Sequence, residues 1–282
     1  MENCLQRSLE RTLSHLRLRS GHVINVEELG EGEPVILLHG FMGSSKTWQG
    51  LDTKLSAYFH ILSVDIIGHG GTDKPENIDP YFMEEFGLSL VEVLELRGIS
   101  QAHWIGYSMG GRLALFMAGT HANYVKKVAV IGASSGIENI EERKTRVIHD
   151  TNLAKRIENE GLEKFVNFWE KLPLFESQLQ LPQAAQQKIR EDRLMNDPIG
   201  LANSLRGMGT GKQPYIHNQL QRTNKPILLL TGSKDQKFIE IAKSLEKSVP
   251  NAETFTIPNA GHAAHLENQE DCATKIINFL TK

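Results

Sequence analysis

Cysteine is nearly missing from this 282-residue sequence, which has only Cys4 and Cys272. They lie near opposite ends with no CxxC or Cys/His spacing, so neither a disulfide framework nor a zinc site is indicated and both read as incidental. Long apolar runs are missing as well. No stretch reaches the roughly 18 residues of a membrane span, and the opening MENCLQRSLERTL carries charges where a secretory signal has its apolar region. The expectation is a cytoplasmic protein without a membrane partner. Positive charge is not in excess either: 31 Lys and Arg stand against 34 Asp and Glu, for a formal net charge of −3 with no long basic run. That argues against a nucleic-acid partner, because backbone binding needs a concentrated positive face. Small molecules are the expected ligands.

What is present is alternation. SHLRLRSG and HVINVEELG read as two strands meeting at Gly21, and PVILLHG reads as a buried strand ending in a glycine turn. Helical spacing over 44–59 follows a serine cap, ILSVDIIG is another buried strand, and 80–97 is a helix. AHWIG, the helix MGGRLALFMAGTH and the strand VKKVAVIGA come next. Strands and helices alternating at this spacing predict an α/β fold: a mostly parallel central sheet with helices on both faces. The next strand, PILLLTG, begins only at Pro226. The segment 137–222 between them has helical patterns of mixed charge and is too long for a structureless loop, so it reads as an inserted helical lid dividing a core of 1–136 and 223–282. A helix over 236–248, the strand ETFTIP and a terminal helix LENQEDCATKIINFL complete the chain.

Open parallel sheets bind ligands beyond the carboxyl ends of their strands. The residues placed there include His39, Gly40 and Phe41, the loop from Asp65 to Asp73, Ser108, Asp235 and the loop NAGHAAH. Ser108 sits in GYSMGGR, where strand-like sequence gives way to helix-like sequence. A lone G-x-S-x-G is common by chance, but in this context the glycines allow a sharp turn that projects the hydroxyl at a helix N-terminus. A serine hydroxyl is a weak nucleophile or base until a neighbour takes its proton, and histidine is the usual partner. His262, His265 and His39 are the candidates.

The order serine, acid, histidine on these strand ends resembles the α/β-hydrolase superfamily. That resemblance implies His262 of the final GH loop as the base, with His265 as a helix-start residue, and Asp235 as the acid that orients the imidazole. It also implies an oxyanion hole from the backbone N–H groups of Phe41, in the HGF turn, and Met109, after the elbow. DIIGHGGTDKP resembles the superfamily's D-x-x-G-x-G-x-S/T loop and reads as structural.

Within the superfamily, GYSMGGR, EERKTR, FWEKLPLF, REDRLMND and LRGMGTGKQP together resemble the 2-succinyl-6-hydroxy-2,4-cyclohexadiene-1-carboxylate synthases. These are lyases of menaquinone and phylloquinone biosynthesis that expel pyruvate from a substrate with three carboxylates. The resemblance implies Tyr107, Arg112, Arg146, Trp169 and Arg193 as pocket residues, with neither metal nor organic cofactor. Guanidinium suits this role, since it can hold a carboxylate by two parallel hydrogen bonds. EERKTR and REDR each carry a second arginine, Arg143 and Arg190, that could stand in for Arg146 or Arg193. Other readings are a serine esterase or carbon–carbon hydrolase, for which the arginines are incidental, and a non-enzymatic receptor on the same fold. An epoxide hydrolase is disfavoured because such enzymes place Asp at the elbow.

Overall fold

The computed structural model describes residues 10–282, so Cys4 lies outside the described residues. Eight strands run along the chain: Thr12–Arg17 (β1), Val23–Leu29 (β2), Glu33–Leu38 (β3), Phe59–Val64 (β4), Ala102–Tyr107 (β5), Val125–Ile131 (β6), Ile227–Gly232 (β7) and Ala252–Ile257 (β8). They form one sheet in the order β1-β2-β4-β3-β5-β6-β7-β8. β1 and β2 pair antiparallel around Gly21, which takes φ +88°, and β2 pairs antiparallel with β4. Every other pairing is parallel.

Both faces of the parallel strands are covered, which explains their continuous apolar runs. Side chains alternate between the faces. Ile36, Leu38, Leu62, Val64, Trp104, Val128 and Leu229 meet the helices Met83–Leu96 (α2), Met109–Thr120 (α3) and Gln236–Ser248 (α9) on one side. Val35, Leu37, Ile61, Ile105, Ile131 and Leu230 meet Leu51–Ser56 (α1) and Gln269–Thr281 (α11) on the other. Cys272 is buried in that second layer.

Three helical expectations need correction. The helix expected over 44–59 is a short 3-10 turn, Ser45–Trp48, followed by α1. Gly50 breaks it at φ +91°, where a Cβ would come within 2.6 Å of Gln269. The helix expected over 80–97 begins only at Met83, after a 3-10 turn over Asp79–Tyr81. The terminal helix is split as well. Ala264–Glu267 (α10) stops at Asn268, whose side chain accepts from Asp271 N–H and caps α11.

Between β6 and β7 lie Ile140–Glu160 (α4), Leu162–Trp169 (α5), Gln183–Leu194 (α6), Pro198–Met208 (α7) and His217–Arg222 (α8), with a 3-10 stretch over Pro173–Gln180. Leu153, Ile157, Phe165, Val166, Leu201 and Leu205 give α4, α5 and α7 an apolar core of their own, and Met42 of the sheet domain reaches into it. Ile216 and Leu220 instead pack in the sheet's core, so α8 belongs physically with the sheet. Among the described residues no helix is long and apolar enough to cross a membrane.

Candidate active site

Ser108 follows β5 at φ 49°, ψ −105°, a conformation that non-glycine residues rarely adopt. Such strain costs on the order of 1–3 kcal/mol and persists only where the surroundings enforce it. Here the enforcement is visible. A Cβ on Gly106 would stand 2.3 Å from the Gly110 carbonyl oxygen, and one on Gly110 would stand 2.1 Å from that of Leu38. The strand and helix therefore meet closely enough that only glycine fits. Ser108 N–H donates to the Ile131 carbonyl at 2.8 Å, which ties the turn to β6.

The imidazole of His262, two per cent exposed, places Nε2 3.1 Å from Ser108 Oγ and Nδ1 2.7 Å from Asp235 Oδ2. A carboxylate only accepts, so Nδ1 carries the proton and donates it to Asp235. That leaves the Nε2 lone pair to accept from the serine hydroxyl. Asp235 caps α9 just past β7, and His262 follows β8, so neighbouring strand ends supply the pair. Space for the ring comes from Gly132, at φ +60°, where a Cβ would lie 2.6 Å from His262 Cε1. The Phe238 ring covers it at 4.6 Å between centroids.

The other two histidines are engaged elsewhere. His265 is fully buried against Tyr107 and Trp48, at 4.3 and 4.9 Å between centroids. Burial, with His262 close by, pushes its imidazole down to about 3, so it stays neutral. His39 Nδ1 donates to the Gly40 carbonyl at 2.7 Å and Nε2 accepts from Ile66 N–H at 2.9 Å. It is a clamp between the turn after β3 and the loop after β4. In that loop Asp65 accepts from Gly71 N–H and Asn25 Nδ2, and a Cβ on Gly70 would collide with its carboxylate at 2.1 Å.

The HGF turn is fastened to the elbow. Gly110 N–H donates to the His39 carbonyl at 3.0 Å, and Gly40 lies so close to Tyr107 that a Cβ would approach its ring to 2.7 Å. Phe41 and Met109 thus border the same space as Ser108. Met109 opens α3, where a helix leaves its first N–H groups without intrahelical acceptors.

That space is a cavity of about 1250 Å³ between the sheet and the lid, bordered by Ser108, His262, Tyr107, Arg112, Arg146, Trp169 and Arg193. Arg143 and Arg190 do not border it. Arg190 turns to Glu170 and Asn167, both at 2.7 Å. Arg146 Nε donates to buried Asp150 at 2.9 Å. Arg193, eight per cent exposed, donates to Glu170 at 3.3 Å and Gln178 at 3.0 Å and lies over the Phe175 ring. Burial lowers its guanidinium's affinity for the proton, and Glu170 opposes that. Arg112 differs, because its hydrogen-bond partner is the neutral Gln213, through Nη1 at 3.1 Å. Burial pushes its guanidinium down to about 10, so it remains charged at neutral pH. Trp169 stands 5.2 Å from the Phe41 ring and 5.6 Å from Phe175, joining the lid to the HGF turn. Sequence reasoning missed Asp150, Glu170, Gln178 and Gln213. Chain order does not mark them, and only their partners in space single them out.

A serine on a strained strand-to-helix turn, with its histidine and acid on later strand ends of a mostly parallel sheet, defines an α/β hydrolase, and the alpha/beta hydrolase fold family matches residues 33–269. A candidate 2-succinyl-6-hydroxy-2,4-cyclohexadiene-1-carboxylate synthase of Bacillus subtilis (strain 168) is 38% identical over 249 residues, covering 88% of this chain and 90% of the relative. The enzyme so named in Photorhabdus laumondii is 32% identical over 252 residues, covering 88% of this chain and 85% of its own. The structure of MenH from S. aureus superposes with a TM-score of 0.86 at 32% identity, covering 91% of this chain and 97% of that one. The chain belongs to the α/β-hydrolase family and, within it, to the 2-succinyl-6-hydroxy-2,4-cyclohexadiene-1-carboxylate synthases.

Proposed function

We propose that the protein eliminates pyruvate from 2-succinyl-5-enolpyruvyl-6-hydroxy-3-cyclohexene-1-carboxylate to give 2-succinyl-6-hydroxy-2,4-cyclohexadiene-1-carboxylate, a lyase step of menaquinone or phylloquinone biosynthesis. The observation that carries this reading beyond family membership is the convergence of Arg112, Arg146 and Arg193 on the cavity that holds the Ser108 hydroxyl. A plain esterase has no use for three guanidinium groups there, whereas a substrate with three carboxylates does.

In this reading Ser108 passes its proton to His262 Nε2, the imidazolium is stabilised by Asp235, and the serine oxygen removes a ring proton next to the succinyl carbonyl. Charge developing on that carbonyl oxygen is met by the N–H groups of Phe41 and Met109. The electron pair returns through the ring, a new double bond forms and the bond from the ring carbon to the enolpyruvyl oxygen breaks. The enolate leaves and becomes pyruvate by protonation on carbon, the proton held on His262 balancing the one it takes up, so that the ring proton stays on Ser108 and the neutral imidazole is restored. No acyl-enzyme and no attacking water take part. Arg112, Arg146 and Arg193 hold the carboxylates, while Tyr107 and Trp169 supply the ring-sized walls.

The test supplies the enolpyruvyl intermediate and follows pyruvate release beside hydrolysis of a small aryl ester. Pyruvate release by the wild type, abolished in Ser108→Ala and His262→Ala with unchanged melting curves, is the expected result. Ester hydrolysis without pyruvate release would instead make the protein an esterase.

A further inference from the structure

Gln213 is a fully buried polar side chain beside Arg112, which borders the cavity. Its amide direction is set by two partners. Nε2 donates to the Ser134 carbonyl at 3.1 Å, so Oε1 faces Arg112 and accepts from Nη1. The reverse orientation would set donor against donor and acceptor against acceptor. The backbone beneath is equally constrained. Gln213 N–H donates to the Gly209 carbonyl at 3.0 Å, and a Cβ on Gly211 would lie 2.5 Å from Val147 N of α4. The GMGTG stretch is therefore pressed onto α4 where side chains would not fit, and Gln213 is held between that helix and the turn after β6.

We propose that Gln213 is a positioning residue: its amide oxygen aims the Arg112 guanidinium into the cavity without forming an ion pair, leaving the remaining N–H groups for a carboxylate of the substrate. Arg146 and Arg193 each have an acidic partner, Asp150 and Glu170. Among the described residues Arg112 has no ion pair, Asp150 acting on it only from beyond salt-bridge distance, and a neutral acceptor is the kind of group that can fix a guanidinium's direction yet keep it open to an anion. The inference deepens the lyase reading and rests on it for the identity of the anion.

The test is a double-mutant cycle read both in the kinetics of pyruvate release and in calorimetric binding of citrate, a non-reacting tricarboxylate. Gln213→Met should raise KM and the citrate Kd by about 10-fold, with a larger effect on KM than on kcat, because the loss is of ground-state orientation. Gln213→Glu should weaken binding at least as much, since its carboxylate competes for Arg112, and it keeps the test readable should the Met variant fail to fold. In an Arg112→Ala background Gln213→Met should not move the citrate Kd by more than about twofold, because residues acting through one another are not additive. Additive losses in that double variant, or an unchanged Kd for Gln213→Met beside wild-type Arg112, would overturn the proposal. A wild type that binds citrate yet releases no pyruvate would sink the lyase reading and leave the cycle readable. Neither binding nor turnover would overturn both.

Discussion

Gly132→Ala places a methyl group against the His262 imidazole, the proposed base. The new Cβ would lie 2.6 Å from His262 Cε1 and 2.8 Å from Nδ1. Ordinary contact begins at 3.4 Å, so the ring must retreat by about 0.8 Å, and it is already held by a 2.7 Å bond to Asp235 on one side and by Phe238 on another. The bond free to stretch is the one to Ser108 Oγ, from 3.1 Å to roughly 4 Å, beyond hydrogen-bonding range. Misplacement of a reacting group by about 1 Å costs on the order of 100-fold. We expect kcat for pyruvate release to fall by about that factor, while KM changes little because the arginines sit on other elements. The left-handed backbone adds its own cost of about 1–2 kcal/mol for alanine. Gly98→Ala is the control: φ is +66° there and a Cβ would meet nothing within 4 Å. It should lower the melting temperature by the backbone cost alone, less than Gly132→Ala does, and leave kcat unchanged. If Gly132→Ala kept kcat within about threefold of wild type, the imidazole would not be the group whose position limits the reaction.

Arg112→Ala, Arg146→Ala and Arg193→Ala should each lower kcat/KM for the tri-anionic substrate by roughly 10- to 200-fold while sparing any hydrolysis of an uncharged ester, and equal losses on both substrates would reassign them to holding the lid. Burial pushes Arg112 down to about 10, so the charge that binds substrate is present below that pH and lost above it. KM should therefore climb as pH rises through about 10, and a profile flat to pH 11 would refute the shift. At the other end of the sheet, hydrogen bonds from Lys126 and His103 hold the Glu33 carboxyl at about 2. Its folded value is depressed, so its contribution to stability is present above about pH 4.5 and lost as pH falls toward 2. Glu33→Gln should flatten the acid limb of the melting temperature over that window, by a modest amount because the carboxylate is more than half exposed.

The geometry of the candidate site was legible in the sequence because it is built from local sterics and chain order. The glycines around Ser108 announce a turn that tolerates nothing larger, and strand ends can be found by apolar runs alone. The helix expected over 44–59 was not legible in the same way. It breaks at Gly50 because the side chain of Gln269, more than 200 residues on, fills the space beside it. The lid arginines show the same limit. α6 is so polar that Arg193 is its one buried residue, and no apolar stripe tells which of Arg190 and Arg193 turns inward. Glu170 accepts from both guanidinium groups at 2.7 and 3.3 Å, and the choice lies in their other partners, Gln178 and the Phe175 ring for Arg193 and Asn167 for Arg190. Asp150 likewise fixes Arg146 rather than Arg143 at the cavity. The acids also bear on the energetics. Arg146 repels Arg112 and Arg190 repels Arg193, and Asp150 answers the first pair as Glu170 answers the second. Arg112 has a neutral hydrogen-bond partner and feels Asp150 only from beyond salt-bridge distance, so an arriving carboxylate finds a guanidinium with no acid bound to it, whereas at Arg146 and Arg193 it must share the cation with a directly paired acid.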